Sequence, residues 1–317
     1  MPPQYGELDS RDVIADFFPA FERSAGQGFA PRIAMMVPST RETEEYDWPG
    51  HAAGLREWVG GRLSKPPKKY EMTLRNRPYE DTMDIPVADL RRDKTGFLRR
   101  RAAEMGTKAG QHWDTLLSAE METNNNSYDG QGFFDTDHDE SGTNQTNALT
   151  NTQVPAADVT STAAPTADEA ADIITQTVGY ATKITDDQGD PINGDARNWM
   201  IMIGGDNQAA IWGAFMRAIS ADRLASGASN LVPALGMTFE VVANPRLTST
   251  SDTHVYFFRL DAPLAPYILQ DEEPLTTQLI GAGSEYEFEN DAHRFGLKAT
   301  RAVGPGAWTA AFRVTLS

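Results

Sequence analysis

Residues 87–122 read VADLRRDKTGFLRRRAAEMGTKAGQHWDTLLSAEME, and within them Leu90, Phe97, Leu98, Ala102, Met105, Ala109, Trp113 and Leu116 recur at three- and four-residue steps. That period predicts one long amphipathic helix. Gly96, Gly106 and Gly110 each cost about 1 kcal/mol relative to alanine inside a helix, so packing along the whole length must offset them and a bend is expected. The same stretch carries Arg91, Arg92, Arg99, Arg100 and Arg101. Such a run reads as a nucleic-acid contact, as a solvated helical face, or as a set of cations meeting carboxylates of the same or a neighbouring subunit.

On the N-terminal side, residues 65–86 alternate, with Tyr70, Met72 and Leu74 on one face and a second run from Tyr79 to Ile85. This predicts a long β-hairpin that turns near Asn76 to Pro78, too polar outside to be a core element. Earlier still, Ile14, Phe17, Phe18 and Phe21 form one apolar helical face, interrupted by Pro19 and followed by Gly26, Gly28 and Pro31. An arm so short is expected to lie on another part of the fold or on another chain.

On the C-terminal side no Lys or Arg occurs between Ala109 and Thr182, and the Asn-, Ser- and Thr-rich middle predicts a long irregular connection. Thr166 with Glu169 forms the capping-box pattern ahead of Ile173, Ile174 and Val178. Trp199 to Ile203 reads as a buried strand, Ala209 to Ile219 as a helix, and Met237 to Ala243 as a returning strand. The remainder predicts strands at Val255 to Leu260, Tyr286 to Phe288, Phe295 to Val303 and Trp308 to Leu316, the last two joined as a hairpin by Gly304-Pro305-Gly306.

The chain has 317 residues, roughly two domains' worth at about 100–200 residues each. The apolar stretch Trp199 to Met216 is broken by Gly204, Gly205, Asp206 and Asn207, so no membrane span is expected. The opening residues Met1 to Asp9 carry neither a basic flank nor an apolar run, so no secretory signal is expected in them. Cysteine is absent, which removes disulfides, thiolate metal sites and cysteine nucleophiles. The net charge of -17 argues against nucleic-acid binding as the main task. It is uneven: residues 1–110 carry 18 Lys+Arg against 17 Asp+Glu, and residues 111–317 carry 10 against 28.

The histidines, His51, His112, His138, His254 and His293, include no pair at metal-ligand helical spacing, and there is neither a Gly-x-Ser-x-Gly elbow nor a phosphate-loop Gly-Lys. The sharpest cluster is Asp135, Asp137, His138, Asp139 and Glu140, whose alternating carboxylates suggest Ca²⁺. Glycine at 142 and Thr146 at the twelfth position depart from the calcium-loop pattern, which favours a solvated acidic turn. A Ca-binding surface protein or a carboxylate-dependent hydrolase centred on residues 129–140 is therefore the alternative reading; otherwise no catalytic residue, metal or cofactor is expected.

Four strings together, Tyr46-Asp47-Trp48, Leu55 to Arg62, Tyr79-Glu80-Asp81-Thr82 and Tyr128 to Asp135, resemble the Mu-like phage major head subunit family. The similarity is specific over about residues 30–140; beyond them only the order of elements matches. The resemblance implies an α+β chain of the Hong Kong ninety-seven-like phage capsid fold, with an N-terminal arm (1–34), an extended loop (60–86) and spine helix (87–122) within a first peripheral part (35–125). It further implies an irregular connection (126–164), an axial domain (165–250) and closing peripheral strands (251–317). The implied function is self-assembly, as pentamers and hexamers, into the icosahedral head of a tailed phage around packaged DNA that the chain contacts weakly. A separate scaffolding protein, a portal and a decoration protein are the implied partners, in a particle assembled in the host bacterial cytoplasm. Assembly contacts are expected at Phe17, Phe18, Phe21, Lys68, Tyr70, Arg75, Arg77, Arg99 and Arg100. Covalent linking through Lys65, Lys68 or Lys69 is disfavoured, because surface lysines ordinarily only solubilise.

Overall fold

The computed structural model describes residues 10–49, 69–92, 96–139, 144–186, 189–223 and 226–317. The chain opens with helices α1 (Ser10–Ile14), α2 (Phe17–Ala25) and α3 (Ala30–Ile33), then strands β1 (Ala34–Pro38), β2 (Thr43–Pro49), β3 (Lys69–Arg75) and β4 (Arg77–Pro86). Pro19 is tolerated because it falls in the first turn of α2, where its missing N–H has no intrahelical partner to lose.

The long helical pattern forms three segments, α4 (Val87–Arg92), α5 (Phe97–Gly110) and α6 (His112–Thr123). Gly96 adopts the left-handed conformation immediately before α5, and Gln111 leaves helical geometry between α5 and α6. The expected continuous helix is thus divided, one break falling at a glycine that reads as a weak point in sequence.

The expected hairpin of residues 65–86 does not form. β3 pairs antiparallel with β2, from Thr43 opposite Arg75 to Pro49 opposite Lys69, whereas β4 pairs with a strand from the far end of the chain. Only Asn76 separates β3 from β4, too few residues for even a two-residue hairpin turn. Asn76 is buried and donates to Ser39 Oγ (2.9 Å) and to the Arg41 carbonyl (2.8 Å), which locks the junction to the 39–42 turn. β3 therefore pairs with β2, and Met72, Leu74 and Tyr46 turn this pair toward the main core. The pair is anchored where the Tyr46 hydroxyl donates to the fully buried Gln270 (2.6 Å).

Short strands β5 (His138–Asp139), β6 (Asn144–Gln145) and β7 (Ala148–Leu149) lead to α7 (Ala167–Ala181), β8 (Asn198–Ile203), α8 (Gln208–Ser220), β9 (Thr238–Ala243) and β10 (His254–Arg259). The long strands β11 (Tyr267–Ile280) and β12 (Ala292–Pro305) flank α9 (Glu285–Asn290), and β13 (Ala311–Thr315) closes the chain. Tyr286 to Phe288 is thus helical, not extended: Ser284 caps α9 by accepting from the Glu287 amide (3.2 Å).

Two sheets carry the fold. One has the order β1-β11-β12-β4, the other β7-β13-β10-β8-β9. The expected hairpin across Gly304-Pro305-Gly306 is absent, since β12 and β13 lie in different sheets and this turn carries the chain between them. For the same reason β10 and β13 do not join the other closing strands: they complete the sheet on which α7 and α8 pack. β8, buried from Trp199 to Ile203, has neighbours on both faces. Phe257 meets Phe215 of α8 (6.4 Å between ring centroids) on one face, and Tyr256 meets Phe134 (5.4 Å) on the other.

That second face is covered by the irregular connection, which is no exposed excursion: Phe133, Phe134, His138, Asn147, Leu149, Val154 and Ala157 are all buried. Among the described residues no helix is long and apolar enough to cross a membrane.

The α7 capping box forms as the sequence predicts. Thr166 Oγ1 accepts from the Glu169 amide (3.2 Å), and Glu169 accepts from the Thr166 amide (2.7 Å) and from Thr160. Burial by itself would raise the Glu169 carboxyl, but the hydrogen bonds from Thr160 and Thr166 prevail and hold it at about 2. Replacing Thr166 by alanine is expected to lower unfolding stability by about 1 kcal/mol in denaturant titrations at neutral pH. The contribution of Glu169 is complete above about pH 4.5 and lost as pH falls toward 2, so Glu169→Gln should narrow its gap to the parent chain in acid.

Candidate functional site

The arm is packed on its own chain. Phe17 is 1% exposed, and its ring meets Phe295 of β12 edge-on at 5.4 Å and stacks near Phe21 at 6.0 Å. Val13, Ile14, Leu98, Ala102 and Met105 complete this cluster with Met83 and Ile85 of β4. The expectation that Phe17 serves another chain is therefore corrected. Gly106 and Gly110 of α5 let α2 lie in direct contact: a methyl at Gly106 would collide with the Phe17 carbonyl, and one at Gly110 would sit 2.7 Å from the Phe21 carbonyl. Ser24 Oγ donates to the Thr107 carbonyl (2.9 Å), and Arg99 pairs with Asp16 (2.8 Å), so Arg99 is also engaged within the chain.

The remaining predicted contact residues divide by exposure. Phe18 is 47% exposed and Phe21 half-buried, while Arg100 lies on the outer face of α5. Arg75 pairs with Glu42 (2.7 Å) at the surface, where such a pair stabilises little. Tyr70 contributes its backbone to β3 opposite Trp48. Lys68 and Lys65 lie outside the described residues, and Lys69 is at the start of β3.

Between α6 and the β4–β12 edge runs a groove of about 450 Å³ lined by Arg75, Arg77, Arg301, Leu116 and Val303, with Glu120 as its only acidic lining residue. Arg77 and Arg301 stand directly opposite each other in register, a like-charge cross-strand pair that costs stability unless an anion relieves it. Arg301 is 4% exposed, sits over the Trp113 ring (4.3 Å), and its Nε has no hydrogen-bond partner, the nearest Asp271 oxygen being 3.8 Å away. Burial lowers its pKa despite Asp271. Arg301 escaped the sequence reading because, in an alternating strand, an outward and a semi-buried arginine look alike.

Within the acidic cluster, Asp135, Asp137 and His138 are engaged by their own chain. Asp135 Oδ1 accepts from the amides of Thr136 (2.6 Å) and Asp137 (3.2 Å), and Asp137 accepts from Asn144. His138 points inward, fully buried, stacked on Trp308 (4.1 Å), with Nδ1 2.5 Å from Asp129 and Nε2 3.3 Å from Asn147. Among the described residues no group of three His, Asp or Glu is placed to hold a metal ion; Glu140 lies outside them. The calcium or hydrolase reading of 129–140 thereby loses its support: this loop clamps the covering connection onto the sheet.

The model of the family described as Mu-like prophage major head subunit gpT matches residues 12–163. The Mu-like prophage FluMu major head subunit of Haemophilus influenzae is 30% identical over 146 residues, which cover 42% of this chain and 47% of that protein. The major capsid protein of Escherichia phage Mu is 32% identical over 109 residues, covering 34% of this chain and 36% of that one. The chain thus spans about half, or less, of the length of the curated relatives it matches. Among solved structures, the procapsid of bacteriophage JBD30 aligns with a TM-score of 0.50 at 21% identity, covering 96% of this chain and 73% of that one. The mature capsid of bacteriophage PhiM1 aligns at 0.56 with 12% identity, covering 92% and 87%. The resemblance to the Mu-like head subunits is borne out, and the fold is that of phage capsid proteins.

Gly106→Val is expected to destabilise by about 1–3 kcal/mol, as overpacking does, and to raise the rate of tryptic cleavage in the arm; an unchanged melting curve would contradict the packing described. Burial, reinforced by Arg301, pushes His112 down to about 4, and burial with Arg313 does the same to His254. Both are neutral in the folded state and gain a proton on unfolding below about pH 6.5, so the stability tied to them is complete above that value and lost as pH falls toward 4. His112→Gln and His254→Gln should flatten the pH dependence of the melting temperature in that window.

Proposed function

We propose that the chain is a major capsid protein that self-assembles, as pentamers and hexamers, into the icosahedral head of a tailed phage or prophage-derived particle. The observation that carries this reading is the coincidence of two likenesses: residues 12–163 match the head-subunit family, and the capsid fold extends over 96% of the chain, past the end of that match. Its role is structural, with the residues described above serving packing and contact, not turnover.

In this reading α1–α2 are the arm, β2–β3 the base of the extended loop, and α4–α6 the divided spine. The β1-β11-β12-β4 sheet is the peripheral layer. The sheet with α7 and α8 is the axial layer, assembled from segments that the sequence places in three different regions. The β2–β3 pair is tied to Gln270 through Tyr46, which in this reading anchors the base of a loop that lies across a neighbour and adds interface area. Phe18, Arg75, Arg77 and Arg100 remain the residues available for such contacts, together with Phe21 at the arm's margin.

A net charge of -17 per copy neutralises few phosphates, which keeps packaged double-stranded DNA mobile against the wall. Sister copies are the principal partners; scaffolding, portal and decoration proteins follow from the head-subunit role, in a virion assembled in the host cytoplasm.

Sedimentation velocity of the purified chain over a range of concentration and salt tests this directly. Capsomers and particles of megadalton mass are expected. A monomer under every condition, including co-expression with the neighbouring phage genes, would overturn the proposal.

A further inference from the structure

The far tip of the peripheral sheet is built with unusual care for a surface turn. Glu287 of α9 accepts from the Gly283 amide (2.6 Å) and lies 3.2 Å from His293. Arg294 sits over the Tyr286 ring (4.1 Å) and forks onto Asp84 (2.7 and 2.9 Å). Three internal contacts thus brace a six-residue helix, yet its phenylalanine, Phe288, is 92% exposed between the exposed carboxylates of Glu285 and Glu289. Holding a large apolar side chain rigidly in water costs free energy in the monomer and removes the ordering penalty of a later contact.

The complementary surface is the arginine groove between α6 and β12. Its walls include Leu116 and Val303, and its rim carries Arg75 and Arg77, with Arg301 beneath. An aromatic anchor flanked by two carboxylates matches, in sign of charge, a mainly polar groove that carries three guanidinium groups and has Leu116 and Val303 in its wall. The two features cannot meet within one molecule. Arg301 is nine residues along β12 from Ala292 at the tip end, roughly 30 Å at the rise of an extended strand.

We infer that the α9 tip of one copy docks Phe288 into the Arg75–Arg77–Arg301 groove of a second copy, with Glu285 and Glu289 meeting Arg77 and Arg75, the latter exchanging its exposed surface pair with Glu42. The contact is head-to-tail along the peripheral sheet, so repetition closes a ring or propagates around a shell instead of ending at a two-fold dimer. The inference rests on the capsid reading and specifies one interface of it.

The absence of native cysteine makes the test clean. A chain carrying Asn290→Cys at the tip and Ala119→Cys on α6 is assembled and treated with a short bismaleimide, and the products are separated under denaturing conditions. A ladder of covalent oligomers is expected from the double variant and none beyond a dimer from either single variant. In parallel, Arg77→Glu should raise the concentration needed for assembly about tenfold, a change of about 1.4 kcal/mol, and adding Glu289→Arg should restore it. Circular dichroism of the monomers controls for folding, since both positions are exposed. Normal particles without the ladder, with Arg77→Glu assembling like the parent, would overturn the docking and leave the capsid reading standing. A parent chain that forms no particles would overturn both.

Discussion

Strand β12 is the element on which the rest of the structure depends, because every layer touches it. It pairs with β11 on one side and β4 on the other, carries Phe295 into the arm cluster, and sets Arg301 against Trp113 of the spine. Its end then passes through Gly306 to Trp308, whose ring stacks on His138 and holds the covering loop over the second sheet. A strand paired on both edges and packed at both ends transmits position over its full length, which the proposed capsid role requires if contacts at opposite ends are to stay in register.

The close approach of α2 to α5 shows how local cost and global gain trade places. In an isolated helix Gly106 and Gly110 are weak residues. In the folded chain they are the notch that admits the arm, and burial of Phe17 alone returns about 1.5–3 kcal/mol. The arm is therefore part of the subunit's own core at Phe17, and only its margin, at Phe18 and Phe21, faces outward.

What could be read from the sequence was what is local. The α7 capping box and the β8–α8–β9 unit depend on neighbours a few residues apart, and both appear where the pattern places them, while the helix expected over 87–122 forms as three segments. Strand partnership is non-local, and there the reading failed. Residues 70–74 and 79–85 alternate correctly, yet nothing in their spacing says that one pairs with 43–49 and the other with 292–305. The acidic turn around His138 reads as solvated in sequence, yet His138 and Asn147 are buried through hydrogen bonds that composition does not reveal. One signal was overlooked: Ser284 and Glu287 stand at capping spacing, enough to have marked α9 as a helix and Phe288 as an exposed tip. The candidate contact residues were legible by type, as arginines and aromatics, but not by duty, since Arg99 serves the arm while Arg301 lines the groove.

The central claim is that copies of this chain form the wall of a closed shell. A cryo-electron microscopy reconstruction of particles produced with the chain tests it most directly. The account predicts icosahedral density into which the two-sheet subunit fits in every wall position, with β2–β3 extending over a neighbouring copy. A shell whose wall density traces to a different polypeptide, with this chain absent or only decorating its surface, would contradict it.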